Sequence, residues 1–285
     1  MNSKFKIPQT IEAHIPFRHT DLRGVTGDAL TQVYQKLSEH KVKSGILVSI
    51  VIPAHNEERV LFATLRSLAA QETDFPFEVI VVDNNSSDRT AELALKSGAL
   101  VCGELNQGVA WARQKGLIKA QGEIIVTGDA DTLYPPHWLQ TLVEPLRKDS
   151  RISCTYSLHC LIDENDRYAF SHYAYQHAKR LLIALRSFRR GQLNVGGASM
   201  AFRKKQAYLL GGYNLNLNRG EDGYLALRLT RFGSIQMVAD KQAYVYTSNR
   251  RMLNDGHILH AFMIRALHST RHMLSFLSKQ QIPAS

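Results

Sequence analysis

Apolar and polar positions change rhythm near residue 47. Before it the chain is mixed and polar, and the spacing predicts one helix over Ala29–His40. From Leu47 to Ile52 the run LVSIVI is almost wholly apolar and β-branched, as a strand buried on both faces requires. Leu61, Leu65 and Leu68 then fall on one face of a helix. Glu78–Val82 predicts a second buried strand and Ser87–Lys96 a helix with Asp88 in its first turn. Ala99–Cys102 predicts a third strand, Gln107–Ala120 a helix and Glu123–Thr127 a fourth strand. Strands alternating with helices from Leu47 to about Leu146 imply βαβ units in a parallel sheet.

The second half is less regular. Ile152–His159 alternates like a strand at a sheet edge, and Tyr168–Phe188 is a long basic helical stretch. Gly196-Gly197 leads into a strand over Ala198–Phe202, and Gly211-Gly212 marks a turn. Asp222–Phe232 predicts a helix, Ala243–Thr247 a strand, and His257–Leu277 an amphipathic helix.

Composition narrows the class. The chain has 285 residues, 44% hydrophobic and 21% charged, which fits one or two globular domains and excludes wholesale disorder. The formal charge of +10 favours a polyanionic or phosphorylated partner. Cys102, Cys154 and Cys160 form no CxxC pair and read as free thiols. No apolar leader segment and no run of ~18 apolar residues is present, so the expected location is cytoplasmic.

In an open α/β sheet, ligands bind beyond the carboxyl ends of the strands. Three of those loops carry acids: Pro53-Ala54-His55-Asn56-Glu57, Asp83-Asn84-Asn85-Ser86-Ser87-Asp88 and Gly128-Asp129-Ala130-Asp131. For Asn84, Asn85, Ser87 and Asp88, turn closure and ligand contact both stay open. Asp129 and Asp131 repel each other unless a cation lies between them, and hard oxygen ligands suit Mg²⁺ or Mn²⁺. Arg113 follows a turn and reads either as a solvated helix charge or as a cation facing an anionic ligand. Glu221-Asp222 opens a helix, where the dipole alone favours acids.

The ordered set VSIVIPAHNEE, VVDNNSSDRT, NQGVAWARQKGLIKAQGEIIVTGDAD, GGASMAFRKKQAYLLGGY and GEDGYLALRLTRFG resembles glycosyltransferase family 2, from about Val48 to Ser248. The resemblance implies a GT-A fold, with a mostly parallel, Rossmann-like central α/β sheet, flanking helices and a C-terminal amphipathic helix. It implies an N-terminal extension over 1–44, a transferase domain over 45–256 with nucleotide-binding (45–131) and acceptor-binding (132–256) halves, and the helix over 257–285. Pro53, Ala54, His55 and Glu57 match the segment lining the nucleotide pocket, with Asn85 beside them. Asp83 matches the acid that bonds the base, and Arg113 a basic position near the nucleotide. Asp129 and Asp131 match the DXD motif that holds ribose, Mn²⁺ or Mg²⁺ and diphosphate. Asp222 matches the general base and Glu221 a positioning acid. His55 departs from the Tyr common at that place.

The implied reaction is metal-dependent, inverting transfer of a sugar from a UDP- or GDP-linked donor to a carbohydrate or lipid-linked acceptor. Two other classes fit parts of the sequence. A nucleotidyltransferase acting on sugar phosphates would carry a Gly-rich basic loop after the first strand, which PAHNEE lacks. A nucleic-acid-binding module fits the charge, but the acids at the ligand edge would repel phosphates, so no nucleic-acid partner is expected. Lys179, Arg180, Arg186, Arg189 and Arg190 read as a solvated basic face or a site for a phosphorylated acceptor. Trp138 reads as a core residue or an acceptor-stacking one, and Arg250-Arg251 as surface charge or diphosphate contacts. His257 is a candidate third metal ligand. The C-terminal stripe reads first as docking on the core or in a homodimer, and second as peripheral contact at the inner membrane face.

Overall fold

The computed structural model describes residues 7–41, 47–162 and 194–248. The expected helices over Tyr168–Phe188 and His257–Leu277, the basic cluster between Lys179 and Arg190, Arg250-Arg251 and His257 lie outside the described residues. The main sheet has seven strands in the order β3-β2-β1-β4-β8-β6-β9. Its first half is the βαβ series: β1 (Val48–Ala54), α3 (Glu58–Ala69), β2 (Phe77–Asp83), α4 (Thr90–Lys96), β3 (Leu100–Gly103), α5 (Val109–Lys119) and β4 (Ile124–Thr127). These four strands are parallel, with Ala54 level with Asp83, so their carboxyl ends meet at one edge.

The buried runs explain the layering. Along β1, Val48, Ile50 and Ile52 enter one core with Phe62, Leu65 and Leu68 of α3. Val51 points the other way, to a second core with Ala112 and Leu117 of α5. A strand covered on both faces needs apolar residues at successive positions, which is the LVSIVI pattern. Gly116 permits close approach of α5, since a Cβ there would collide with the Val51 side chain. At the N-terminus, after the short α1 (Gln9–Glu12), α2 (Gly27–Lys41) adds Val33 and Leu37 to the first core.

The second half completes the sheet with β6 (Ile152–Ser157), β8 (Met200–Arg203) and β9 (Ser234–Val238). Only β8 runs antiparallel to its neighbours. A small second sheet pairs β5 (Thr132–Leu133), β10 (Val245–Ser248) and β7 (His159–Ile162). Helix α6 (Trp138–Lys148) covers the first core, while α7 (Lys204–Leu209) and α8 (Glu221–Leu229) cover the second.

Several expectations need correction. The span Ile152–His159 is not an edge strand: β6 is buried throughout and lies between β8 and β9, and His159 starts β7 in the other sheet. Its polar positions are buried too: Ser153 Oγ donates to the Gly233 carbonyl at 3.1 Å and Thr155 Oγ1 to the Leu142 carbonyl at 2.7 Å, so the alternation does not mark a solvent face. Helix α4 begins at Thr90; Asp88 precedes it and accepts from the Thr90 N–H at 3.0 Å. Trp138 is a core residue at the start of α6, fully buried, with its indole N–H donating to Ser199 Oγ at 2.8 Å. Trp138→Ala is expected to cost about 3–5 kcal/mol, and Trp138→Phe about 1–3, since it leaves less void but strands Ser199. Urea unfolding of both variants checks the order.

Candidate active site

The acids converge at the carboxyl edge of β1, β2 and β4, and what joins them is a cation. Arg113, on the first turns of α5, has a side chain only 2% exposed. Its Nη2 donates to Asp129 Oδ1 at 3.0 Å. Its Nε lies 3.2 Å from Asp222 Oδ1 and 3.5 Å from Glu221 Oε1. The latter two are ion pairs outside hydrogen-bond angles, since neither Arg113 Nε nor Asp222 Oδ1 has a hydrogen-bond partner. Arg113 is therefore not a solvated helix charge: it faces the protein's own acids, and its buried Nε and Nη1 have no hydrogen-bond partner. Part of the repulsion expected between Asp129 and Asp131 is relieved by this guanidinium.

Local structure fixes each partner. The Asp129 N–H donates to Tyr134 Oη at 2.9 Å, and Thr64 Oγ1 donates to the Ala130 carbonyl at 2.7 Å, so the turn after β4 is held from the first core. Asp131 is buried, and its Oδ1 accepts from Thr247 Oγ1 of β10 at 3.4 Å. Glu221 and Asp222 occupy the first turn of α8 and are buried, with no side-chain cap on that helix. They favour the helix dipole, but their carboxylates serve Arg113 rather than the free N–H groups.

The electrostatics follow from burial. Desolvation works against the Arg113 charge, but Asp222, Asp129, Tyr213 and Glu221 more than offset it and hold the guanidinium protonated above its ordinary range. Burial pushes the Asp222 carboxyl well above the usual carboxylate range; Arg113 opposes this and Glu221 adds to it. One guanidinium cannot fully neutralise three carboxylates.

The loops divide into fasteners and candidates. Asn84 closes the β2 and β3 loops together: its Nδ2 donates to the carbonyls of Glu104 and Asn106, and its Oδ1 accepts from the Gly108 N–H at 2.8 Å. Asn56 Oδ1 accepts from the Ser87 N–H at 2.8 Å, and Asp88 Oδ1 from the Thr90 N–H at 3.0 Å, so both residues help close this turn. Asn85 is exposed at the loop tip with a left-handed φ of 60°. Pro53 and Ala54 end β1, His55 Nδ1 lies 2.9 Å from the Asn84 carbonyl oxygen, and Glu57 is buried before α3. Asp83 ends β2 with a buried Oδ1 that has no hydrogen-bond partner.

Asp129 and Asp131 present hard oxygens on one turn, and the described residues contain no group of three or more His, Cys, Asp or Glu that could hold a metal. That donor set fits a divalent cation whose remaining positions are filled by water and phosphate oxygens. Two residues of this site escaped sequence reasoning. Gly197 packs directly on Arg113 and Asp222, where a Cβ would collide with both side chains. Tyr213 buries its hydroxyl, without a hydrogen-bond partner, in the field of Asp222 and Arg113. The tandem Gly196-Gly197 was the available signal for the first.

Residues 49–208 match the family model described as Glycosyl transferase family 2, and the chain belongs to that family. An uncharacterised protein of Methanocaldococcus jannaschii is 35% identical over 103 residues, covering 35% of this chain and 41% of that protein. An undecaprenyl-phosphate 4-deoxy-4-formamido-L-arabinose transferase of Pectobacterium carotovorum is 39% identical over 106 residues, covering 34% and 32%. The match thus spans a third to two fifths of those relatives' lengths. Among solved structures, glucosyl-3-phosphoglycerate synthase of Mycobacterium tuberculosis with Mn²⁺, UDP-glucose and phosphoglyceric acid has a TM-score of 0.55 at 22% identity, covering 95% of this chain and 90% of that one. A mannosyltransferase of Pyrobaculum calidifontis with GDP-mannose and Mn²⁺ has a TM-score of 0.52 at 20% identity, covering 85% and 72%. The mostly parallel α/β sheet with flanking helices is the fold these share.

Two outcomes check the geometry. Gly197→Ala is expected to cost about 1–3 kcal/mol by displacing Arg113 or Asp222, whereas Gly196→Ala, with nothing near its Cβ position, should be close to neutral. Thermal unfolding of the pair reads the difference. Because the folded-state pKa of Asp222 is raised, the stability carried by its protonated form is complete below the ordinary Asp value. It is lost as pH rises through the raised value. Urea unfolding across that window should show the fall in wild type and a flatter curve in Asp222→Asn; equal slopes contradict it.

Proposed function

We propose that this chain is an inverting glycosyltransferase that moves a sugar from a nucleotide-diphosphate sugar to an acceptor hydroxyl. The observation that carries the reading is the buried Arg113 that ties Asp129 to Asp222, with Asp131 on the same turn as Asp129 and Asp83 at the end of β2. Family membership and the nucleotide and Mn²⁺ complexes of the structural neighbours support it. The undecaprenyl-phosphate relative supports a lipid-linked acceptor as one form of the acceptor.

Each residue then has a task. Asp83 accepts from a base N–H with its unpartnered Oδ1. Pro53, Ala54, His55, Glu57 and Asn85 border the nucleotide. Asp131 and Asp129 hold Mn²⁺ or Mg²⁺, which when bound neutralises the charge of the leaving diphosphate. Arg113 keeps the Asp129 and Asp222 carboxylates in register across the site. Asp222 takes the proton from the acceptor hydroxyl as its oxygen bonds to the anomeric carbon and the bond to the diphosphate breaks. Attack opposite the leaving group inverts the anomeric centre, and Glu221 positions its neighbour. The domain limits of 1–44, 45–256 and 257–285 are part of the same proposal, with α2 packed on the transferase core. Among the described residues no helix is long and apolar enough to cross a membrane.

The test is Mn²⁺-dependent binding of UDP- and GDP-sugars by calorimetry, with transfer assayed on the donor that binds. Asp131→Ala should lose metal-dependent nucleotide binding and keep the fold. Asp222→Asn should keep donor binding and lose ~10²–10⁴-fold in transfer. Because Asp222 must be ionised to accept a proton, transfer should rise with pH through a value above the ordinary carboxylate range. Equal metal-dependent binding in Asp131→Ala, or near wild-type transfer in Asp222→Asn, contradicts these assignments.

A further inference from the structure

Beside the acidic centre, α5, the loop after α7 and α8 enclose an open groove of about 670 Å³. It is a shallow, largely polar depression rather than an enclosed cleft. Its lining includes Trp111, Tyr213, Tyr224, Asn216, Arg228 and Arg231. None of these had a place in the donor site, and Asp83, Asp129 and Asp131 do not line the groove.

The groove is held open by Arg228. Its guanidinium donates to the Leu210 carbonyl and, at 3.4 Å, to the Gly212 carbonyl, and it lies 5.8 Å from the Tyr224 ring centroid. The backbone N–H of Tyr213 is in turn fixed by Gln114 Oε1 of α5 at 2.9 Å. Tyr213 joins the groove to the centre: it lines the groove, while its buried hydroxyl lies in the field of Asp222 and Arg113. Arg231 is exposed at the rim and makes no side-chain hydrogen bond or ion pair among the described residues. Trp111 is half-buried.

The chemistry of this lining is specific. Aromatic faces stack on the C–H faces of a sugar ring, the Asn216 amide supplies both a donor and an acceptor for hydroxyls, and an unpaired guanidinium fits a carboxylate or phosphate. The geometry points to an acceptor subsite for an anionic saccharide, one sugar unit beyond the ring whose hydroxyl Asp222 deprotonates. The inference rests on the transferase reading and adds the acceptor's class to it. Trp111 and Tyr224 stack on the ring, and Arg231 holds the acidic substituent.

The chain has two tryptophans, and Trp138 is fully buried, so Trp111 is a reporter in place. Fluorescence of the full chain is titrated with a neutral hexose disaccharide, its uronic-acid counterpart and inorganic phosphate. UDP and GDP with Mn²⁺ are titrated by calorimetry in parallel. The expected result is a saturable emission change with the uronic-acid disaccharide, absent in Trp111→Phe. Binding should be about tenfold tighter than for the neutral disaccharide, the worth of one charge-assisted hydrogen bond. Arg231→Ala should remove that advantage and leave nucleotide binding unchanged. No response to either disaccharide overturns the inference, as does an equal response to phosphate alone or to the nucleotides, which would make the groove a plain anion site or part of the donor site. Absence of nucleotide binding beside an intact saccharide response would instead count against the transferase reading.

Discussion

Everything at the catalytic edge depends on one buried guanidinium. Moving an arginine out of water costs several kcal/mol unless its charge is matched, and removing one partner of such a pair typically costs 3–5. Arg113 is matched by carboxylates from two distant segments, Asp129 after β4 and Glu221-Asp222 on α8. The interaction ties α5, the turn after β4 and α8 into one unit. It also forces Gly197, because the strand-leading backbone passes where any Cβ would meet Arg113 and Asp222.

The same constraint sets the chemistry. Three acids share one base, so the site keeps an excess of negative charge that a divalent cation or a proton can answer. Asp222 is buried and its carboxyl holds a proton unusually well, the property that the proposed role as general base requires. Asp129 has one oxygen on Arg113, while its side chain is 24% exposed. The turn after β4 and the start of α8 thereby meet through a fixed protein charge.

Legibility in the sequence followed physical range. Strands β1, β2 and β4 were readable because burial on both faces demands unbroken apolar runs, a local signal. Helix α6 and strand β9 are absent from the expected elements, although Trp138, Leu139, Leu142, Val143 and Leu146 keep a helical spacing and Ser234–Val238 alternates. The acids at the strand ends stood out because a turn alone does not need them. What they touch did not: Arg113 looks like any helix cation until the chain brings Asp129 and Asp222 to it. Asn84, Ser87 and Asp88 read equally as turn or ligand residues, and their hydrogen bonds show that they close the loops.

The central claim is that Arg113 couples Asp129 to Asp222. A double-mutant cycle of Asp129→Asn and Asp222→Asn, read as unfolding free energy in urea, tests it most directly. Residues sharing a charged partner are expected to be non-additive by about 0.5–3 kcal/mol, and the account predicts a coupling in that range. Additivity within ~0.3–0.5 kcal/mol would mean that the two acids act independently, and would contradict the account.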